Sequence, residues 1–298
     1  MKILLTGRDG QLGWELVRTL APLGEVHAFD RHTLDLADPD RLAAAVRELK
    51  PEVLVNAAAY TVVDRAESEP DAAFAINSRA PGILAEETGR LGALLVHYST
   101  DYVFDGTKAG PFTEDDTPNP LGVYGASKLE GEKAIRASGA RHWIFRTSWV
   151  YAPRGKNFFL TILRLAREGK PLRVVADQFG APTSAAMLAR ATAHALATRA
   201  QAGRDSRPAT GHAPPPSGVY HMTARGRTSW HGFASVILAE LGLDNPITAI
   251  TSSEYPLPAK RPANSVLDNS RLAATFGIRM PDWEAGLHEA VAALKASS

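Results

Sequence analysis

Seven residues near the amino terminus constrain this chain most. Gly7-Arg8-Asp9-Gly10-Gln11-Leu12-Gly13 stands between an apolar run, Lys2 to Thr6, and a segment in which Leu12, Leu16, Val17 and Leu20 recur at helical spacing. Glycines in a strand-to-helix turn let the backbone approach a pyrophosphate, and the N-terminus of the following helix offers free N–H donors. The spacing G-x-x-G-x-x-G is one residue longer than the usual dinucleotide fingerprint, and three glycines in a tight turn satisfy a purely structural role equally well.

The surrounding rhythm supports the first reading. Strand-like runs at Glu25–Asp30, Val53–Val55, Leu94–Tyr98 and His142–Thr147 alternate with helical stretches. One helix begins at Asp38-Pro39, an N-cap and first-turn proline, with Leu42, Val46 and Leu49 as its buried stripe. Another runs through Ala80, Leu84 and Leu91, and a third begins near Tyr124. This is the pattern of an α/β protein, a doubly wound parallel sheet of the Rossmann type. Residues 1–150 are expected to form an NAD(P)-binding domain. Residues 151–298 are expected to form a smaller mixed α/β substrate region, with some segments returning to the sheet. That half offers helices at 157–168, 184–198, 230–241 and 283–294 and strands at 172–176, 218–222 and 247–251. Gln201 to Ser217, rich in Pro, Gly, Ala and Arg without apolar period, reads as a surface loop.

Composition narrows the chemistry. The 298 residues include no cysteine, which excludes disulfides, thiolate metal sites and a cysteine nucleophile and fits a reducing compartment, the cytoplasm. Basic and acidic residues number 33 and 32, with no dense basic block, so neither nucleic acid nor an anionic membrane is an expected partner. The apolar run Ile3–Leu5 is far too short for a signal peptide or a membrane span.

Four further clusters fall where an open α/β sheet binds ligands, at the carboxyl ends of its strands. Asp30, about 20 residues beyond the glycine loop, is placed to accept from an adenosine ribose, although a lone Asp after a strand is commonly a turn former. Arg31 beside it carries a planar cation suited to a 2′-phosphate. Asn56-Ala57-Ala58-Ala59 leaves room for a cofactor, and a small-residue turn explains it as well. Ser99-Thr100-Asp101-Tyr102 offers two hydroxyls, a carboxylate and a phenol in four residues. Tyr124 and Lys128, four apart, share one helix face; the bland alternative is an amphipathic surface pair. A nearby ammonium lowers a tyrosine pKa toward working pH, and such a phenol exchanges protons with a carbonyl or carbinol oxygen. The nine histidines are scattered without metal-ligand spacing.

In order and spacing these motifs resemble the extended short-chain dehydrogenase/reductase superfamily. Within it, Ser99–Phe104, Phe145–Tyr151, Asp177–Thr183 and Arg261–Ser265 look like the dTDP-4-dehydrorhamnose reductases, and the likeness runs almost the whole chain outside the 201–217 loop. The resemblance implies NAD(P)H-dependent reduction of the C4 ketone of dTDP-4-dehydro-L-rhamnose, a step toward bacterial surface polysaccharide. By position it implies Tyr124 as proton donor, Lys128 as the residue that binds the nicotinamide ribose and tunes Tyr124, and Thr100 as a hydrogen-bond partner of the reacting oxygen. It places Gly7, Gly10, Gln11 and Leu12 at the pyrophosphate, Asp35 and Leu36 at the adenine, and Ala57, Ala58, Ala59, Tyr60 and Thr61 along the cofactor. The nucleotide-sugar site would take Thr61, Val63, Ser99, Thr100, Asp101, Tyr102, Tyr124 and Trp149, with Asn157, Gln178 and Arg261 near the diphosphate. NADPH is the expected cofactor, with NADH also working, because Asp30 and Arg31 oppose each other.

Two alternatives share these features: a nucleotide-sugar dehydratase or epimerase, and a non-catalytic regulatory subunit on the same fold. Dehydratases of the superfamily typically carry a Glu after the Thr-Asp, where this chain has Tyr102, and Thr100, Tyr124 and Lys128 are all retained. Some relatives are described as pairing around a divalent cation. Glu15 and Glu289 are candidate ligands, but no complete set is matched, so no metal is expected in the chemistry. A homodimer is compatible with the sequence and not dictated by it.

Overall fold

The computed structural model describes residues 1–202 and 215–296. Five strands, β1 (Lys2–Thr6), β2 (Glu25–Phe29), β3 (Val53–Asn56), β4 (Leu94–Thr100) and β5 (Arg141–Thr147), join a sixth at Gly218–His221 in one parallel sheet. The spatial order is β2-β1-β3-β4-β5 followed by Gly218–His221. Chain direction across the sheet reverses between β1 and β3, which opens a crevice at the carboxyl edge there.

Alternation along each strand builds two cores. Ile3, Leu5, Val53, Val55 and Val96 face a layer holding Leu12, Leu16 and Leu20 of α1 (Gln11–Leu20) and Leu188 and Leu196 of the helix Ala185–Ala202. Leu4, Leu54, Leu95 and Ile144 face the other layer. That layer contains α2 (Pro39–Leu49), two short helices α3 (Val63–Ala66) and α4 (Pro70–Phe74), α5 (Ala80–Leu91) and α6 (Val123–Ala137), with Leu42, Val46, Leu84 and Ile135 in the core. Burial on both faces is why these strands read as unbroken apolar runs. Asp38 caps α2 as the sequence indicates, accepting from the Arg41 N–H at 3.0 Å, with Pro39 in the first turn.

Three observations bear on the sequence reading. β4 does not stop at Tyr98: Ser99 and Thr100 continue the ladder opposite Arg146 and Thr147, so two site residues sit on a strand and not on a loop. The strand Gly218–His221 pairs with β5, and the larger core combines residues from both halves. Gln201 and Ala202 close a helix and Ser217 accepts from the His142 N–H at 3.1 Å; the rest of the expected loop, 203–214, lies outside the described residues. A helix at Ser270–Phe276 and a π-helical turn at Ala75–Arg79 were not legible from periodicity.

Candidate active site

At the cofactor end, space decides. Gly7 has φ +78°, and a Cβ there would lie 2.8 Å from the Ala58 nitrogen; one on Gly13 would overlap the Gly7 carbonyl. The glycine loop and the Ala57-Ala58 turn therefore touch backbone to backbone. Gly10 precedes α1 with no side chain capping the first turn, so the N–H groups of Gln11 and Leu12 remain available to an anion. This cradle fits a dinucleotide pyrophosphate.

Asp30 closes β2 and is held by its own turn. Its Oδ1 accepts from the N–H groups of His32 and Thr33 at 2.9 Å each, and its Oδ2 takes the Arg8 guanidinium at 2.5 Å. The Thr33 N–H and hydroxyl, with help from Arg8, hold the carboxyl below its usual range against the opposing effect of burial. Arg31 is 79% exposed and sits 3.6 Å from Asp35. Leu36 is a core residue, so a role at the adenine would fall to its backbone. Ala59 and Tyr60 are half-buried and Thr61 is exposed. Tyr60 is clamped through its backbone by Asn77 of the π turn, whose amide also reaches the Ser127 hydroxyl of α6 at 3.0 Å.

The second half of the chain ties itself over the glycine loop. Asn157 donates to Gln11 Oε1 at 2.8 Å while its Oδ1 caps the helix Phe158–Arg167, and the Arg154 guanidinium lies 3.8 Å over the Trp14 ring. All three residues expected at the diphosphate have protein partners: Asn157 as above, Gln178 with the Ser252 hydroxyl at 2.9 Å, and Arg261 with both carboxylate oxygens of Asp64 at 2.6 and 2.7 Å. Glu289 pairs with Arg190 at 2.6 Å.

At the reaction end, burial decides. Thr100 ends β4 and donates to Asp101 Oδ1 at 2.9 Å. Asp101 is 2% exposed and its Oδ2 has no partner; burial pushes its carboxyl up to about 6, against hydrogen bonds from Ser265 and Thr100. Tyr124, in the first turn of α6, meets the Tyr102 ring edge-on at 5.6 Å. Burial pushes the Tyr124 phenol up to about 12, the Thr100 hydroxyl acts to lower it, and Asp101 adds to the rise. Burial raises Tyr102 as well. Val63 opens α3 beside this pair.

Two expectations are corrected here. The phenol is not lowered by Lys128, because the lysine, 2% exposed, turns its Nζ to the Tyr98 carbonyl at 2.6 Å and to His97 Nε2 at 3.2 Å. Burial pulls Lys128 down to about 8, with Glu132 opposing. Ser99 does not face the substrate crevice. Strand alternation sets it opposite Thr100, where its hydroxyl donates at 2.5 Å to Glu132, which Arg146 holds with two bonds of 2.9 and 2.6 Å.

Trp149 carries φ +48°, a left-handed conformation rare for a bulky residue and characteristic of functional positions. Its indole stacks on Trp230 at 3.5 Å between centroids and 7° between planes, with Gly180 against its edge. Sequence reasoning missed Arg8, Asn77, His97 and Trp230. Only His97 left a signal, a polar residue inside the apolar run Leu94–Tyr98.

A switch-point crevice with a glycine cradle, and a Tyr-Lys helix beside a Thr-terminated strand, define an NAD(P)-dependent enzyme of the extended short-chain dehydrogenase/reductase class. The family model described as the RmlD substrate binding domain matches residues 1–296. A dTDP-4-dehydrorhamnose reductase of Burkholderia thailandensis is 53% identical over 292 residues, covering 95% of each chain. The solved structure of such a reductase from Clostridium acetobutylicum superposes with a TM-score of 0.90 at 38% identity, covering 99% of this chain and 100% of that one. A reductase from Bacillus anthracis, solved in complex with NADP, gives 0.89 at 33% identity, with 98% and 100% coverage. The chain belongs to the dTDP-4-dehydrorhamnose reductase family.

Proposed function

We propose that this protein reduces the C4 ketone of dTDP-4-dehydro-β-L-rhamnose to dTDP-β-L-rhamnose with NADPH, Tyr124 giving the proton. The observation that carries this reading is the buried Thr100–Asp101 pair with the half-buried Tyr124 beside it at the carboxyl edge of the sheet. A bound nicotinamide supplies the hydride. Tyr124, raised by burial, holds its proton at neutral pH and is the acid that C4 oxygen needs as charge develops on it. Thr100 hydrogen-bonds that oxygen, and Lys128 binds the nicotinamide ribose. Gly7, Gly10, Gln11 and Leu12 hold the pyrophosphate, and Arg8 joins Arg31 as a cation for the 2′-phosphate. Trp149 presents an aromatic face to the deoxysugar, with Thr61, Val63, Asp101 and Tyr102 around it. Residues 1–150 chiefly bind cofactor and residues 151–298 chiefly bind the nucleotide sugar.

Among the described residues no helix is long and apolar enough to cross a membrane. A cytoplasmic enzyme supplying a precursor of surface polysaccharide is the setting we infer. The test mixes purified protein, NADPH and the keto-sugar nucleotide with a strong chelator and follows nicotinamide absorbance. Stoichiometric oxidation is expected; binding without turnover would leave a regulatory subunit instead.

A further inference from the structure

Four buried polar side chains stand in single file across the sheet: Thr6 at the end of β1, Asn56 at the end of β3, His97 in β4 and Lys128 on α6. Each is at most 2% exposed. Register sets the first three side by side, Thr6 opposite Asn56 and Asn56 opposite His97. Thr6 Oγ1 lies 2.6 Å from Asn56 Oδ1, Asn56 Nδ2 lies 3.0 Å from His97 Nδ1, and His97 Nε2 lies 3.2 Å from Lys128 Nζ. Nothing in the proposed reaction uses Thr6, Asn56 or His97.

The donors and acceptors in this file cannot be assigned independently. An ammonium has only donors, so a charged Lys128 requires an unprotonated Nε2. The imidazole proton is then on Nδ1, the Asn56 carbonyl must face it, and the Asn56 amide donates to Thr6. A neutral Lys128 presents a lone pair, and the file runs the other way: Thr6 donates to Asn56, Asn56 donates to Nδ1, and Nε2–H donates to the amine. The ring stays neutral in both, because burial, and then Lys128, push the His97 pKa well below its ordinary value. When Lys128 loses its proton to solvent, the imidazole changes tautomer, the amide turns over and the threonine hydroxyl rotates.

We propose that His97, oriented by Asn56 and Thr6, is a positioning residue that fixes the direction and charge of Lys128 through this reversible file. The proposal rests on Lys128 serving at the cofactor. The Asn56 orientation in the structure is the one that pairs with a neutral lysine; in the charged state, with the amide turned over, the Tyr98 carbonyl and Nε2 take two of the ammonium's hydrogens and the third is left for a ligand hydroxyl. The charged group that acts on the amine is Glu132 of α6, itself paired with Arg146 of β5; β4 contributes His97 and the Tyr98 carbonyl, and β1 and β3 contribute Thr6 and Asn56 through the file. Because Thr6 directly precedes Gly7, the file also joins the lysine to the base of the pyrophosphate cradle.

Nitrogen NMR of the full-length protein labelled with ¹⁵N-histidine tests the file directly. As pH is raised through the Lys128 titration, the His97 proton should move from Nδ1 to Nε2 with the ring neutral throughout; one tautomer on both sides overturns the proposal. A second arm uses His97→Phe, which keeps bulk and removes the acceptor. The alkaline limb of its hydride-transfer rate should move down by roughly one pH unit, the loss of one charge-assisted hydrogen bond. His97→Gln, offering a carbonyl, should restore most of that shift. A loss uniform in pH would assign His97 a merely structural role and overturn the proposal. Full turnover in Lys128→Met would refute the cofactor role of Lys128 while leaving the tautomer result standing, so the two failures are distinguishable.

Discussion

Asp30 and Asp101 each follow a strand of the same parallel sheet at the same edge, yet their carboxyls are moved in opposite directions. Asp30 is ringed by the Thr33 and His32 N–H groups and the Arg8 guanidinium, and is held low. Asp101 keeps one oxygen unpartnered, and burial lifts it to about 6. The chain after β2 folds back on its carboxylate, whereas after β4 a single 3₁₀ turn at Asp101–Val103 leads away. The cofactor end is thus a place of satisfied, partly exposed charge, suited to binding. The reaction end is a place of buried, under-solvated polar groups, where a proton is easily kept or moved.

The largest effect should therefore come from the reaction end. Tyr124→Phe retains the ring packing and deletes the proton; turnover should fall by roughly 10²-fold or more with cofactor affinity little changed. Near-normal turnover would erase the functional half of the contrast. Thr100→Val keeps shape and removes a hydroxyl, and its loss should appear mainly in turnover, by roughly 10-fold to 10³-fold. A raised Michaelis constant at constant turnover would make Thr100 a binding residue only.

The two carboxylates then give opposite stability profiles. The folded protein binds the Asp101 proton more tightly than the unfolded chain does, so this group lowers stability as pH rises from about 3.8 through about 6. Asp101→Asn should gain on the native protein over that window, by roughly 3 kcal/mol at most, read from melting temperatures across pH. Asp30 has the reverse sign: its contribution is present above the unfolded pKa and is lost as pH falls through the lower folded value. Asp30→Asn should be destabilised at neutral pH and level with the native protein in acid. Parallel profiles would show that the contrast is not electrostatic. The smallest effects belong to the exposed cations: Arg8→Ala and Arg31→Ala should each weaken NADPH relative to NADH by less than tenfold, Arg8 more, since it is the less exposed of the two.

The same contrast explains what the sequence disclosed. Sheet, layers and glycine loop were legible because they rest on short-range signals: unbroken apolar strands, the Asp38-Pro39 cap, and glycines whose Cβ would strike a neighbouring turn. Tyr124, Lys128 and Thr100 were found by motif. Their environment was not, since the Lys128 contacts with His97 and Tyr98, the Ser99 contact with Glu132 and the pairing of Trp149 with Trp230 join residues far apart in the chain. Period-two alternation accounts for the Ser99 correction once the ladder is seen to continue. With β4 extended by two residues, Ser99 and Thr100 must face opposite sides.

On the proposed function, this crevice delivers hydride to C4 of the keto sugar while Tyr124 protonates the oxygen. Turnover with NADPH deuterated at its transferable position, followed by NMR of the sugar nucleotide, tests it most directly. One deuterium at C4 of the product per cofactor oxidised is the predicted result. A product without deuterium at C4, or one formed with no net cofactor oxidation, would contradict it.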